Sequence, residues 1–238
     1  MSAATPYTNP ATTRDFTLAA LSLAWPDEEL VQVVSALGEA LQDHVGLGPL
    51  AVRLQAGLEG LQGDYLAAFD VGPRRVPLYE TEYGRMRALS KGRDLADVLG
   101  FYNAFGLDLT EGAAELPDHV AIELEFYALL SHKQLLLADD PVGTEIVLDA
   151  RRKFLIDHLG GFVPTLARAV SPEVSAPYGA ALAWVDELVA AECRALGVTP
   201  APLDFLAAEE DGVACGGCVG IPGLEQPQPG RARGGQVS

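Results

Sequence analysis

The chain has 238 residues, 49% of them hydrophobic, with 16 basic against 33 acidic side chains for a formal charge of -17. That length supports one large core or two small ones, and the charge repels nucleic-acid phosphates and anionic lipid surfaces while favouring a basic partner. Three cysteines are too few and too unevenly placed for a disulfide framework, no stretch is apolar for the roughly 18 residues of a membrane helix, and the start lacks the pattern of a secretory signal; a cytoplasmic protein without stable membrane insertion is expected.

Taken in chain order, residues 1–15 read as a flexible N-terminus. "WPDEELVQVVSALGEAL" then opens a helix, with Pro26 suited to the first helical position and Asp27, Glu28 and Glu29 complementing the positive end of its dipole. Leu30, Val33, Val34, Leu37 and Leu41 share one face. A second helix is expected from Pro49, presenting Leu50, Leu54, Leu58, Leu61 and Tyr65, and a third, "RDLADVLGFYNAFG", stacks Leu95, Val98, Leu99, Tyr102 and Phe105 before Gly106 stops it. Further helices are expected near 118 to 137, 142 to 159 and 176 to 196. Alternating apolar and polar runs are absent, and Ala and Leu outnumber the residues that strands favour. The fold class is therefore all-α: a single-domain multi-helix bundle over 16–210, followed at 211–238 by a Gly/Pro-rich flexible tail.

One joint is basic on an acidic body. Gly72 to Arg93 carries six basic and two acidic residues, a pattern that a solvated loop with locally paired arginines accounts for. The same region holds Tyr79 and Tyr83, four apart and next to Pro77, which suits a partly open aromatic surface.

"ELPDHVAIELEFYALL" places Asp118 and His119 side by side before a helix. Adjacent residues on a helix diverge by about 100°, which argues against a catalytic pair, whereas Pro followed by Asp is a helix-start signature with Glu115 or Asp118 as the capping residue. His119 and Glu123 fall on one helix face, and a metal-dependent bundle enzyme would draw further ligands from His132 or His158, but the repeated Glu-x-x-His pairs of such sites are missing. Cys215 and Cys218 form "CGGC", a spacing suited to a redox pair or half a zinc site, without the strand, helix or second pair either would need. A passive tail is the plain reading, and contact with a metal or iron–sulfur partner is its rival.

Four segments in register resemble one family. "GDYLAAFDVGPRRVPLYETEYG" resembles the Asp-Tyr...Phe...Gly...Pro-Tyr-Glu-Ser-x-Tyr pattern of the TorD/DmsD/NarJ-like molybdoenzyme maturation chaperones, and "ELPDHVAIELEF" resembles their Glu-x-Pro-Asp-His motif. "FYNAFGLDL" is similar to their Phe-Tyr-x-x-x-Gly-Leu segment and "FLIDHLGGFVPTL" to their Phe-Leu-x-x-His-Leu-x-x-Trp-x-Pro segment, with Phe162 where Trp is common. The resemblance spans about residues 16–200 and leans toward the chaperones of the dimethyl sulfoxide reductase type II group.

The resemblance implies a cytoplasmic, non-enzymatic protein without a cofactor. It would bind the twin-arginine signal peptide or apo form of a molybdopterin-containing oxidoreductase catalytic subunit, assist cofactor insertion and delay export. By motif position, Glu115, Pro117, Asp118 and His119 would form the client-binding region, joined by Tyr79, Glu80 and Tyr83. Asp118 and Glu80 would receive cationic side chains. A monomer or a dimer exchanging segments at the joint 160–177 is expected. Two rivals stand beside this: a subunit adaptor acting through the "CGGC" tail, and the metal-dependent enzyme built on His119, Glu123, His132 and His158.

Overall fold

The computed structural model describes residues 9–41, 43–71, 75–84, 87–108, 115–170 and 175–203, the side chains of 87–90 excepted. Cys215 and Cys218, with the rest of the expected tail, lie outside these residues. The described chain is helical: α1 (Pro10–Leu23), α2 (Glu28–Leu37), α3 (Gly48–Gln55), α4 (Leu58–Tyr65), α5 (Arg87–Ala104), α6 (Val120–Leu136), α7 (Pro141–Phe154), α8 (Gly160–Ala169) and α9 (Ala176–Leu196).

Local chemistry explains most boundaries. Asn9 caps α1 by accepting from the Ala11 N–H at 3.0 Å, with Pro10 in the first turn, so residues 10–15 are helical where a loose terminus was expected. In α2 the capping residue is Asp27, which accepts from the Glu29 and Leu30 amides, and Pro26 lies outside the helix instead of opening it. The single helix expected from Pro49 is two, because Gly57 takes φ 123°, a value only glycine adopts without strain. Asp140 caps α7 through the Val142 and Gly143 amides, and Gly197, in the left-handed conformation, ends α9.

Helix α6 lies at the centre. It is apolar around most of its circumference, and Val120, Leu124, Tyr127 and Leu130 are fully buried. α1 and α7 pack against it, and α9 joins α1, α3 and α8. The Phe16 and Tyr127 rings, 4.4 Å apart, fix α1 to α6. Arg151 of α7, 1% exposed, reaches Gln134 and Tyr127 of α6 and Glu192 of α9, so one buried cation ties three helices together.

The helix expected over 142–159 does not stop at 159. It passes through a wide π turn at Leu155–Leu159 into α8. The joint expected at 160–177 is therefore mostly a helix packed on α9, and a segment exchange located there would have to unpack Phe162, Val163 and Leu166, all fully buried. Beyond α9 the chain turns back along α8, where the Leu203 N–H donates to the Gly161 carbonyl at 3.3 Å and its own carbonyl accepts from Thr165 Oγ1 at 2.8 Å. No described helix is long and apolar enough to cross a membrane.

Candidate functional site

The two motifs meet through their backbones. Pro77 and Pro117 disfavour helix in the residues before them, and Tyr79 is extended with φ -109° and ψ 127°. Tyr79 thereby pairs with His119 in an isolated antiparallel bridge: the Glu80 N–H donates to the Asp118 carbonyl at 2.9 Å and the Val120 N–H to the Leu78 carbonyl at 2.8 Å. Side chains reinforce it. Asp118 is fully buried, and its Oδ2 accepts from the Thr81 N–H at 3.0 Å and from Thr81 Oγ1 at 2.6 Å. The Tyr102 hydroxyl of α5 donates to the Pro117 carbonyl at 2.7 Å.

Neither Glu115 nor Asp118 caps α6. His119 does, its Nδ1 accepting from the Ala121 N–H at 3.2 Å. Asp118 is turned inward to Thr81 instead, so the bridge, not the helix start, occupies its carboxylate. Burial lowers the His119 pKa, and Glu115 and Asp118 only partly oppose this, so the ring is neutral at neutral pH with its remaining proton on Nε2.

Tyr79 and Glu115 are half-buried, and the Tyr79 hydroxyl donates to Glu115 Oε2. Burial first, then that hydrogen bond, pushes the Tyr79 pKa up. Together with His119 they border a cleft of about 280 Å³ whose wall is completed by Trp25, Tyr65 and Phe69, with Asp70 at its edge. Tyr65 meets Trp25 edge-on at 5.3 Å and Phe69 at 5.0 Å. Two carboxylates beside an aromatic wall can hold a cationic group together with an apolar one.

Glu80 and Tyr83 face elsewhere. Tyr83 is 4% exposed, its hydroxyl donating to the Pro77 carbonyl at 2.6 Å and its ring 5.1 Å from Phe162, so it is core and not open surface. Glu80 is buried against His158 of the π turn, with Oε2 2.9 Å from Nδ1. Burial lowers the His158 pKa, but the hydrogen bond and charge of Glu80, aided by Asp97 and Asp157, outweigh it and the net shift is upward. Glu123 is fully buried on the same side, with the Glu80 carboxylate as its close neighbour. Burial and then the charges of Glu80 and Asp118 push its pKa well above the ordinary carboxylate range, so it holds its proton.

The ligand set of a metal-dependent enzyme does not assemble. His132 is exposed on α6, and among the described residues no three His, Cys, Asp or Glu side chains converge as metal ligands. Of the basic joint, Lys91 pairs with Glu82 at 2.5 Å and Arg93 with Asp94 at 3.3 Å, while several of its arginines lie outside the described residues. The sequence reading assigned Trp25, Tyr65 and Phe69 no role in the site, and it left His158 as a rival metal ligand when its partner is Glu80. Tyr65 and Phe69 lie in the first motif and His158 in the last, but aromatic residues there read as core by default, and Trp25 lies outside all four motifs.

Comparison with known proteins decides the family. The model of the nitrate reductase delta subunit family matches residues 26–168, a span that contains both halves of the bridge, Asp70 and His158. The chain belongs to the nitrate reductase delta subunit family. This family comprises the NarJ/TorD-like maturation chaperones of molybdoenzymes, in agreement with the resemblance of the four motifs. The chain is 39% identical over 145 residues to a selenate reductase assembly chaperone protein of Thauera selenatis, covering 58% of this chain and 72% of the relative. It is 33% identical over 150 residues to a chlorate reductase assembly chaperone protein of Ideonella dechloratans, covering 60% and 74%. A perchlorate reductase assembly chaperone protein of Dechloromonas aromatica is 26% identical over 190 residues, covering 72% and 83%.

Proposed function

We propose that this protein is a non-catalytic, cytoplasmic maturation chaperone for a molybdopterin-containing oxidoreductase catalytic subunit. It binds that subunit's twin-arginine signal peptide or another segment of the apo form, keeps it open for cofactor insertion and delays its export. The observation that carries this reading is the cleft at the Tyr79–His119 bridge, where Glu115 and Asp70 border the aromatic wall of Trp25, Tyr65 and Phe69. A signal peptide offers arginines followed by an apolar run, and such a cleft complements both parts. The net charge of -17 adds long-range attraction for a basic segment.

Relatives that assemble selenate, chlorate and perchlorate reductases support an oxyanion reductase as the client. The burial of Asp118 and its bonds to Thr81 support a role in fixing the bridge, and the half-buried Glu115 is the carboxylate proposed to meet a bound cation.

Titration calorimetry of the full chain against twin-arginine signal peptides of reductases from the same genome, with Lys-Lys versions and two salt concentrations, tests the reading. Saturable, salt-sensitive binding that weakens with Lys-Lys supports it. Absence of binding to every peptide, together with no retention of the apo catalytic subunit, overturns it.

A further inference from the structure

A second cavity, of about 250 Å³, shares no lining residue with the aromatic cleft; Glu80, Asp94, Asp97, Asp157 and His158 surround it. Arg93 also borders it, but that side chain is 83% exposed and is paired with Asp94. The cavity continues outward into an open hollow of about 560 Å³ bordered by Asp94, Asp97 and Asp157, which gives a bulky group a way in. An acidic hollow alone means little. The decisive feature is His158, which is 3% exposed and whose Nε2 has no hydrogen-bond partner among the described residues.

The chemistry of that nitrogen is constrained. With Nδ1–H donating to Glu80, the neutral ring presents the Nε2 lone pair, and the group facing it is Asp97 Oδ2 at 3.5 Å. Phe101 and Phe154 pack on the ring at 5.4 and 4.9 Å and supply no donor. Two acceptors facing each other need a donor between or beside them. A proton on His158 is one solution, and a bound cation, which also meets the carboxylate charges, is another. The described residues do not converge tightly enough for a metal ion, so a fitting cation carries its donors on a wider frame. A guanidinium does so, with five N–H donors in a planar fork matched to carboxylates. Asp97 is 62% exposed and needs only a rotamer change to let such a group reach Nε2.

We propose that this cavity is a guanidinium site, which takes one arginine side chain of a bound polypeptide between Asp97, Asp157 and His158 Nε2. The site stands apart from the aromatic cleft, and its test needs no client protein, so its failure would leave the chaperone reading untouched. Protonation of His158, favoured by Glu80, Asp97 and Asp157 against burial, competes with the guanidinium. Affinity therefore rises with pH as His158 loses its proton. Asp94 faces the same space, and its charge is already partly met by Arg93.

The probe is acetyl-Gly-Arg-Gly-amide, with the neutral citrulline peptide as control, added to the full chain while the histidine ring resonances are followed by NMR through a pH titration. The arginine peptide is expected to shift the His158 resonance and lower its titration midpoint, and the citrulline peptide to do neither. Asp97→Asn and Asp157→Asn, both at exposed positions that leave the fold intact, are each expected to weaken binding about fivefold. An unmoved His158 resonance at the probe's solubility limit, an equal effect of citrulline, or wild-type affinity in both variants would overturn the proposal.

Discussion

Tyr79 and His119 lie edge to face across the antiparallel bridge, ring centroids 5.2 Å apart and planes at 76°. Each belongs to a different sequence motif, and the contact makes one site of two. Tyr79 and Glu80 are consecutive, yet the first borders the aromatic cleft and the second the acidic cavity, because Tyr79 is extended while Glu80 opens the short 3-10 turn Glu80–Glu82. The bridge is thus the partition between two hollows of different chemistry, and Asp118 is what holds it in place.

The first prediction concerns that hold. Thr81→Val removes the hydroxyl donor to a fully buried carboxylate and is expected to lower unfolding stability by about 2 kcal/mol, read from urea titrations. Asp118→Ala leaves both Thr81 donors unpaired and is expected to cost more. Both variants are expected to speed hydrogen exchange at the Glu80 and Val120 amides, the two that form the bridge, relative to amides in the middle of α6. Unchanged exchange there would detach Asp118 from the bridge.

A second prediction tests the buried cation. Arg151→Ala leaves Glu192, Gln134 and Tyr127 without their shared partner and is expected to cost about 3–5 kcal/mol. Arg151→Met combined with Glu192→Leu removes both charges and keeps the volume, and is expected to recover most of the loss. A double variant no more stable than the single one would show that the network, and not the isolated charge, holds α6, α7 and α9 together.

The all-α class and most helices were legible because they rest on local signals, namely apolar spacing, Pro at starts and Gly106 at an end. The errors fall where a tertiary contact overrides a local one. Asp118 follows Pro117 as a capping residue should, but Thr81 lies 37 residues away and binds its carboxylate, which leaves His119 to cap α6. The π turn at Leu155–Leu159 keeps α7 running into α8, and no spacing rule marks it. The site was legible as two motifs. Its aromatic wall and the Glu80–His158 pair were not, because Trp25 lies in the joint between α1 and α2, Tyr65 and Phe69 at and just beyond the end of α4, and His158 in the π turn after α7, and each alone reads as core.

Glu123 gives a pH-dependent prediction. Its folded-state pKa is raised, so the folded chain binds a proton more tightly than the unfolded chain does, and the associated stability is present below the unfolded pKa of about 4.3 and is lost as pH rises toward the folded value. Glu123→Gln keeps the shape and removes the titration. The variant's thermal midpoint relative to wild type is expected to climb as pH rises above the ordinary carboxylate range. A difference that stays flat over that rise would mean that Glu123 does not titrate there.

The last prediction concerns the aromatic cleft and the carboxylate at its edge. Trp25 is 42% exposed and Glu115 is half-buried, so neither Trp25→Ala nor Glu115→Gln removes core packing, and both variants are expected to unfold close to wild type. Their effects on client binding are expected to differ in kind. Glu115→Gln removes charge and is expected to weaken a twin-arginine peptide about fivefold at low salt, with the gap closing as salt rises. Trp25→Ala removes apolar and cation–π contact and is expected to weaken it by about tenfold with little salt dependence. The only other tryptophan is Trp184, so emission from a Trp184→Phe variant reports on Trp25 alone. A peptide entering the cleft is expected to shift that emission to shorter wavelength as Trp25 is covered. Saturable binding with no change in Trp25 emission, and full affinity in both variants, would place the peptide elsewhere on the molecule and leave the acidic cavity beyond the bridge as the next place to look.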